Sequence, residues 1–467
     1  YERFLNMDLN KSSIATQGSI YLSVISRERQ MGYGGECVDL VTGVTDEILK
    51  RIEAAGREYQ SDVTVIEIGG TAGEYQNALF MEANRLLKLR CPDDVLHVHI
   101  TYLPIPPSIG EMKSKPAQMS VRDLNAYGIQ PDIILASAEK QIDDSRRKKL
   151  STATGVMVDD VISAPDVKNV YEIPLNFNEG GLTERILKKL ALTEIKKADL
   201  SSWADFVKRQ RAAEKIIRIA MVGKYFATGD YVLIDSYISV IEALKHAGAE
   251  NNVNVEISWV DAGSVLQDSN VLGNHQGIIV PGGFGSRDIE GKIKAIEFAR
   301  VNGVPYFGLC YGMQLACIEF SRNVLGLEDA HSTEINPKTK NPVIHIMPDQ
   351  EKKMLNLDYG GTMRLGAWPC VLKKGSMVES CYGVEQISER HRHRYELNND
   401  YRDVLEQAGL KIVGTSPDGG LVEIVEFPKH PFFVGTQFHP ELKSRPLAAH
   451  PLFVAFVEAA KNFSLSS

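Results

Sequence analysis

Residues Tyr306–Met313 read YFGLCYGM, a short apolar run closed by G-L-C-Y-G and followed by a helix-like pattern through Phe320. Small residues on both sides of a cysteine at a strand-to-helix turn form a nucleophile elbow, which lifts the side chain clear of the sheet. Cys310 would then stand at a helix N-terminus, where the dipole and free N–H groups favour thiolate. A free cysteine is more commonly a buried core residue, but the two flanking glycines and the strand-helix context point to a nucleophile. Pro281–Gly285 (PGGFG) follows the strand pattern Gly277–Val280 and could aim a backbone N–H at a developing oxyanion. Phe438–Glu441 (FHPE) supplies His439 as a base, with Glu441 two residues on to orient the imidazole. Each segment alone could be an ordinary turn. Together, in this order, they predict a Cys310–His439–Glu441 triad.

Outward from this elbow, further apolar runs read as strands: Val63–Ile68, Val95–Leu103, Ile133–Ala136, Ile216–Val222, Val255–Val260 and Ile278–Val280. Amphipathic stretches lie between them, most clearly Asp230–Gly248, where Leu233, Tyr237, Val240, Ile241 and Leu244 share one helical face. Strands alternating with helices predict an α/β protein with parallel sheets. A length of 467 residues predicts two domains. The polar, Lys-rich stretch Thr193–Lys215 reads as a partly helical connection, giving domains at 1–193 and 216–467 with a linker at 194–215. Hydrophobic content of 43%, charged content of 24% and a formal charge of -8 suit a soluble globular protein, and exclude a general nucleic-acid or membrane-surface binder. No apolar run approaches the ~18 residues of a membrane span, and no signal-peptide pattern opens the sequence. Six cysteines without a CxxC pair suggest neither zinc nor a disulfide framework, and a reducing cytoplasm fits them.

The segment carrying PGGFG, GLCYG and FHPE resembles the class I glutamine amidotransferases. The resemblance implies that the triad hydrolyses glutamine to glutamate and ammonia. It also implies an oxyanion hole from Gly283 and the backbone of Tyr311, and a glutamine site that includes Gly312, Met313, Gln314 and Glu334, the last within HSTE at His331–Glu334. Leucine is frequent in that family where Tyr311 stands here; because the backbone does the work, little effect is expected.

Two more segments narrow the resemblance to the CTP synthases: ERHRHRYE at Glu389–Glu396 and GGTMRLG at Gly360–Gly366. His391 and His393 could otherwise be metal ligands, but arginines surround both. The resemblance implies that Arg394 pairs with the glutamine α-carboxylate, which suits a guanidinium fork. It also makes GGTMRLG a lid over the site, with Arg364 and Arg287 as contacts for GTP as allosteric activator.

The N-terminal half points the same way. VIEIGGTAG at Val65–Gly73 puts Glu67 at a strand end, where a carboxylate suits Mg²⁺ held with substrate phosphates. GEMKSKPAQ at Gly110–Gln118 resembles a CTP synthase loop and implies contacts from Lys113, Ser114, Lys115, Pro116, Ala117 and Gln118 to UTP, and to CTP as feedback inhibitor. Glu74, Tyr75, Gln76 and Lys148 join that site by the same resemblance, and Asp166 and Val167 an ATP site. The implied fold is a P-loop-type, dethiobiotin-synthetase-like synthase domain, N-terminally incomplete, before the amidotransferase domain. The implied reaction is ATP-dependent phosphorylation of the UTP 4-oxygen, displaced by ammonia that travels internally. A homotetramer is also implied.

Several positions depart from that pattern. No G-x-x-x-x-G-K-[ST] occurs, and the chain opens on YERFLNMDLNKSS without methionine, so the expectation is that it begins inside a longer protein. Gly43 stands where a histidine is usual, Gln76 where a glutamate is, Ser137 where an arginine is expected near the adenine, and Pro165 replaces a lysine before Asp166. The alternatives are a divergent paralogue that is only a glutaminase or amidates another nucleotide, and a non-enzymatic filament-forming subunit, which the intact triad disfavours.

Overall fold

A strand needs a neighbour for its N–H and C=O groups, and in a computed structural model of the chain every predicted strand but one finds it. The structure describes all residues except 193–197, 224–226, 229–230, 233, 284–287, 347–362 and 464–467, and omits the side chains of 227–228, 231–232 and 234–235 as well. Contacts divide the chain into one unit of Leu9–Ser201 and a second of Tyr1–Asp8 with Ser202–Ser467.

In the first unit, β1 (Val98–Tyr102), β2 (Ile133–Ala138) and β3 (Val161–Pro165) form a parallel sheet in that order. Successive residues of β2 face opposite sides. Ile134, Ala136 and Ala138 pack with Ala117 and Val121, while Ile133 and Leu135 pack with Ile162 and are backed by Phe177 and Ile186. Helices therefore cover both faces. A separate cluster joins the helices Gln17–Arg29, Thr45–Glu58 and Ala78–Arg90 through Ile20, Val24, Ile48, Leu49 and Ala83. The expected strand Val63–Ile68 is a correction: it pairs with no strand among the described residues, and Val65 is 90% exposed. An apolar run without a partner has no ladder to join.

The second unit holds a nine-stranded sheet. Its strands are β4 (Ile216–Gly223), β5 (Asn254–Asp261), β6 (Gly277–Val280), β7 (Tyr306–Leu309), β10 (Arg364–Leu372), β11 (Gln386–His393), β13 (Lys411–Thr415), β14 (Val422–Glu426) and β15 (Phe433–Thr436). Their order is β11-β10-β13-β14-β15-β7-β6-β4-β5. The run from β15 to β5 is parallel, and the rest is antiparallel. All four residues of β6, β7 and β15 are buried, as parallel strands covered on both faces require. A smaller sheet of β8 (Ala330–Ser332), β9 (Asn341–Ile346) and β12 (Tyr395–Leu397) stands beside the elbow helix Tyr311–Asn323.

The helix expected over Asp230–Gly248 runs from Ile238 to Asn251 behind a short 3₁₀ turn, and buries Val240, Ile241 and Leu244; Asp230 and Leu233 lie outside the described residues. The stretch expected to be a connection contains the helix Ser201–Ala212, whose Trp203, Phe206 and Val207 are buried. The contact division thus gives this helix, and the first eight residues, to the amidotransferase unit.

Candidate active site

Parallel neighbours in a sheet end at the same edge, and that rule gathers the triad. Leu309 of β7 is in register with Thr436 of β15, and Gly308 with Val280 of β6, so the residues that follow all three strands emerge together. Cys310 follows β7, Pro281–Gly283 follow β6, and Gln437–His439 follow β15. The Cys310 N–H donates to the Thr436 carbonyl at 2.6 Å, which fixes the turn.

Cys310 has φ 50° and ψ −94°, rare for a residue with a side chain. The elbow closes because its neighbours have none. A Cβ at Gly312 would lie 2.1 Å from the Val280 carbonyl oxygen, and one at Gly308 would lie 2.7 Å from the Gly312 carbonyl carbon. One at Gly282 would lie 2.7 Å from Cε1 of His439, so the imidazole rests against bare backbone.

His439 Nδ1 lies 2.7 Å from Oε1 of Glu441. With Nδ1–H donating to that carboxylate, Nε2 is left for the thiol. Burial pulls the imidazole pKa down. The Glu441 carboxylate and then the Cys310 sulfur outweigh it, and hydrogen bonds to both hold the pKa well above the ordinary histidine value. The imidazole, held by Glu441 and facing the Cys310 sulfur, is placed as the base of a Cys–His pair. Gln437 Nε2 donates towards Sγ at 3.7 Å, and the Arg392 carbonyl faces Sγ at 3.9 Å.

A narrow cavity opens on this sulfur, lined by Gly283, Cys310, Tyr311, Gln314, Glu334, His393, Arg394 and Tyr395. Every triad and glutamine-site residue expected from sequence is therefore at or beneath one place. Gly312 and Met313 lie beneath: the Gly312 carbonyl accepts from the Tyr306 hydroxyl at 2.9 Å, and Met313 packs on Gly435. Gln314 donates to the Tyr395 carbonyl at 2.8 Å and to the Gln437 side-chain oxygen at 3.2 Å, which aligns the helix with β12 and β15. The Tyr311 ring is buried, lies over the Lys292 ammonium, and has its hydroxyl pKa raised by burial and then by Glu334.

In the other unit the candidate residues are mostly exposed. Glu67, Lys115 and Lys148 are exposed, and Tyr75 is 95% exposed. Gln76 donates to Glu74 at 2.6 Å. Lys113 pairs with Glu111 at 2.7 Å, and Arg146 shares that carboxylate at 3.2 Å. Ser114 is buried at the start of the helix Lys115–Ala126, where Pro116 pre-sets the first turn, Ala117 faces the core and Gln118 donates back to the Ser114 hydroxyl at 3.2 Å. Asp166 and Val167 line a cavity of about 510 Å³ together with Ser137 and Pro165, two of the departing positions. That volume is in the range of small-molecule sites.

Residues 1–192 match the family described as CTP synthase N-terminus, and residues 232–459 match glutamine amidotransferase class-I. A CTP synthase of Halalkalibacterium halodurans is 46% identical over 98% of this chain and 85% of its own length. One of Rubrobacter xylanophilus is 48% identical over 98% of this chain and 82% of its own. The chain belongs to the CTP synthase family. Its activity is that of the family: a glutamine-hydrolysing ligase that forms CTP, with ATP as co-substrate. Among solved structures, the glutaminase domain of Trypanosoma brucei CTPS with bound acivicin is 38% identical, covering 54% of this chain and 96% of that one at a TM-score of 0.49.

Three further residues belong to this CTP synthase site: His393, weighed from sequence only as a metal ligand, and Tyr395 and Gln437, with no role assigned from sequence. His393 and Tyr395 stand inside the quoted ERHRHRYE, and Gln437 directly precedes FHPE. His393 is neutral, its pKa pushed down to about 3 by burial and then by the Arg364 charge. It can donate from Nδ1 to the Tyr395 carbonyl at 3.1 Å, while Nε2 meets Nδ1 of His391 at 3.1 Å. Among the described residues no group of three or more His, Cys, Asp or Glu is placed to hold a metal ion. Arg364 is 6% exposed, donates to Glu423 at 2.6 Å and lies over the Trp368 ring. Arg287 and residues 360–362 of the expected lid lie outside the described residues.

Proposed function

We propose that this chain aminates UTP with ammonia released from glutamine at Cys310. The observation that carries the reading is the Cys310 elbow with His439 held 2.7 Å from Glu441, opening on a cavity that also contains Glu334 and Arg394. The Cys310 sulfur attacks the glutamine side-chain carbonyl carbon. Charge building on its oxygen is met by the N–H groups of Gly283 and Tyr311. His439 gives its proton to the departing nitrogen, ammonia leaves, and a thioester to Cys310 remains. His439 then takes a proton from the water that splits the thioester, releasing glutamate. Arg394 and Glu334 grip the α-carboxylate and α-amino group, so binding and chemistry use different residues.

In the N-terminal unit, Lys113, Lys115, Gln118 and Lys148 bind UTP, with Glu74–Gln76 and Ser114–Ala117 shaping its site, and Asp166 and Val167 bind ATP. CTP competes at the UTP residues as feedback inhibitor. Glu67 suits Mg²⁺ as one exposed carboxylate, since that ion is commonly held by one or two carboxylates plus substrate phosphates. When bound, the ion would neutralise phosphate charge. GTP activation through Arg364 would require its guanidinium to leave Glu423. A homotetramer and a cytoplasmic location are supported by family membership. Separately, no helix among the described residues is long and apolar enough to cross a membrane.

The test is incubation of the complete gene product with UTP, ATP, Mg²⁺ and glutamine, assaying CTP and glutamate separately. Both products are expected, and Cys310→Ala should use free ammonia but not glutamine. Glutamate without CTP would favour a glutaminase or an enzyme for another nucleotide.

A further inference from the structure

His439 and Glu441 stand on a short turn, Pro440–Leu442, and two arginines bracket it. On one side the His439 N–H donates to the carbonyl of Arg390 at 2.8 Å. On the other, the Arg445 guanidinium donates to the carbonyls of Leu442 at 3.0 Å and Ser444 at 3.2 Å, closing the chain behind Glu441. Both arginines meet the same two carboxylates, more than 380 residues away in sequence. Glu2 meets Arg390 fork to fork, with both contacts at 2.6 Å. Asp8 lies 2.7 Å from Arg445 and 3.3 Å from Arg390, and Glu2 reaches Arg445 at 3.3 Å.

The segment that carries these carboxylates is itself anchored. Phe4 packs on Trp203 at 5.6 Å between ring centroids, and Arg3 lies 3.7 Å from the buried Glu242. A lone exposed ion pair would contribute little. This is a bidentate network of four charges, and the Arg445 side chain is only 6% exposed, so removing its partners would leave a buried charge uncompensated.

We propose that Glu2 and Asp8 are positioning residues for glutamine hydrolysis: by fixing Arg390 and Arg445 they hold the turn that carries His439 and Glu441 against Cys310. The inference rests on the triad reading above. Neither carboxylate touches the glutamine cavity, whose grip on substrate comes from Arg394, Glu334 and Gln314. Loosening the network therefore affects the base and not the hold on glutamine.

The experiment compares the full chain with its Glu2→Gln/Asp8→Asn variant in glutamine hydrolysis, in melting temperature, and in the pH profile of Cys310 alkylation by iodoacetamide. The expected result is a fall in kcat of about tenfold or more, since small misplacements of catalytic groups cost that much. The KM for glutamine stays put, and the alkylation profile is displaced. Asp8→Asn alone, which keeps the Glu2–Arg390 fork, should fall between the two and carries the test if the double variant does not fold. An unchanged kcat, or a loss that tracks the folded fraction with an unmoved alkylation profile, overturns the inference. The triad reading fails separately, if Cys310→Ala hydrolyses glutamine as the parent does.

Discussion

The cavity on Cys310 and the cavity beside Asp166 are built on opposite plans. Around Cys310 every functional group has a fixed neighbour: Gln314 is tied to Tyr395 and Gln437, His439 to Glu441, and the elbow is closed by glycines that admit no methyl. Among the candidate lysines of the N-terminal unit, Lys115 and Lys148 are exposed and Lys113 pairs with Glu111. The contrast suits the roles proposed for the two sites. A covalent step demands reacting atoms at set distances, whereas capture of a polyphosphate needs charge at roughly the right place.

Four substitutions separate the two sites, in falling order of expected effect. Glu441→Gln should cost about ten-thousandfold in glutamine hydrolysis, as loss of the orienting carboxylate does in triads of the same geometry. Because the folded His439 pKa is raised, the stability gained from its partners is full below about pH 6.5 and is lost as pH rises through the folded value. The variant should lose that dependence in pH-dependent melting, and the alkaline limb of its activity profile should move to lower pH. Gly312→Ala should cost about a hundredfold in hydrolysis by pushing the elbow off β6, while ammonia-dependent CTP formation persists; retained hydrolysis would mean that the elbow is not preformed. Lys113→Ala should raise the KM for UTP about tenfold, the weight of one charged hydrogen bond, with the KM for glutamine unmoved. Val65→Thr should change stability by less than about 0.5 kcal/mol in denaturant unfolding. A loss well above that would mean that the Val63–Ile68 run is buried after all.

What could be read from sequence was whatever local pattern dictates. YFGLCYG carries its own strand end, turn and helix start, so β7 and the elbow were legible to the residue. The strand Ile133–Ala138 was legible because both of its faces are apolar. Val63–Ile68 was misread because an apolar run states a preference, while a strand also needs a neighbour. The stretch holding the helix Ser201–Ala212 was read as a partly helical connection; its charged residues mask Trp203, Phe206 and Val207, whose spacing places them on one buried face. The arginine network was out of reach: 388 positions separate Glu2 from Arg390, and no spacing rule spans them.

The backbone at Cys310 has one further consequence. A positive φ costs a residue with a side chain on the order of 1–3 kcal/mol, and glycine nearly nothing. Replacing alanine by glycine usually weakens a protein by loosening its unfolded chain. At this position the order should reverse, with Cys310→Gly melting above Cys310→Ala. The residue this backbone accepts at least cost is thus glycine, which carries no nucleophile. A nucleophile at residue 310 is therefore expected to carry a cost in stability that the reaction requires.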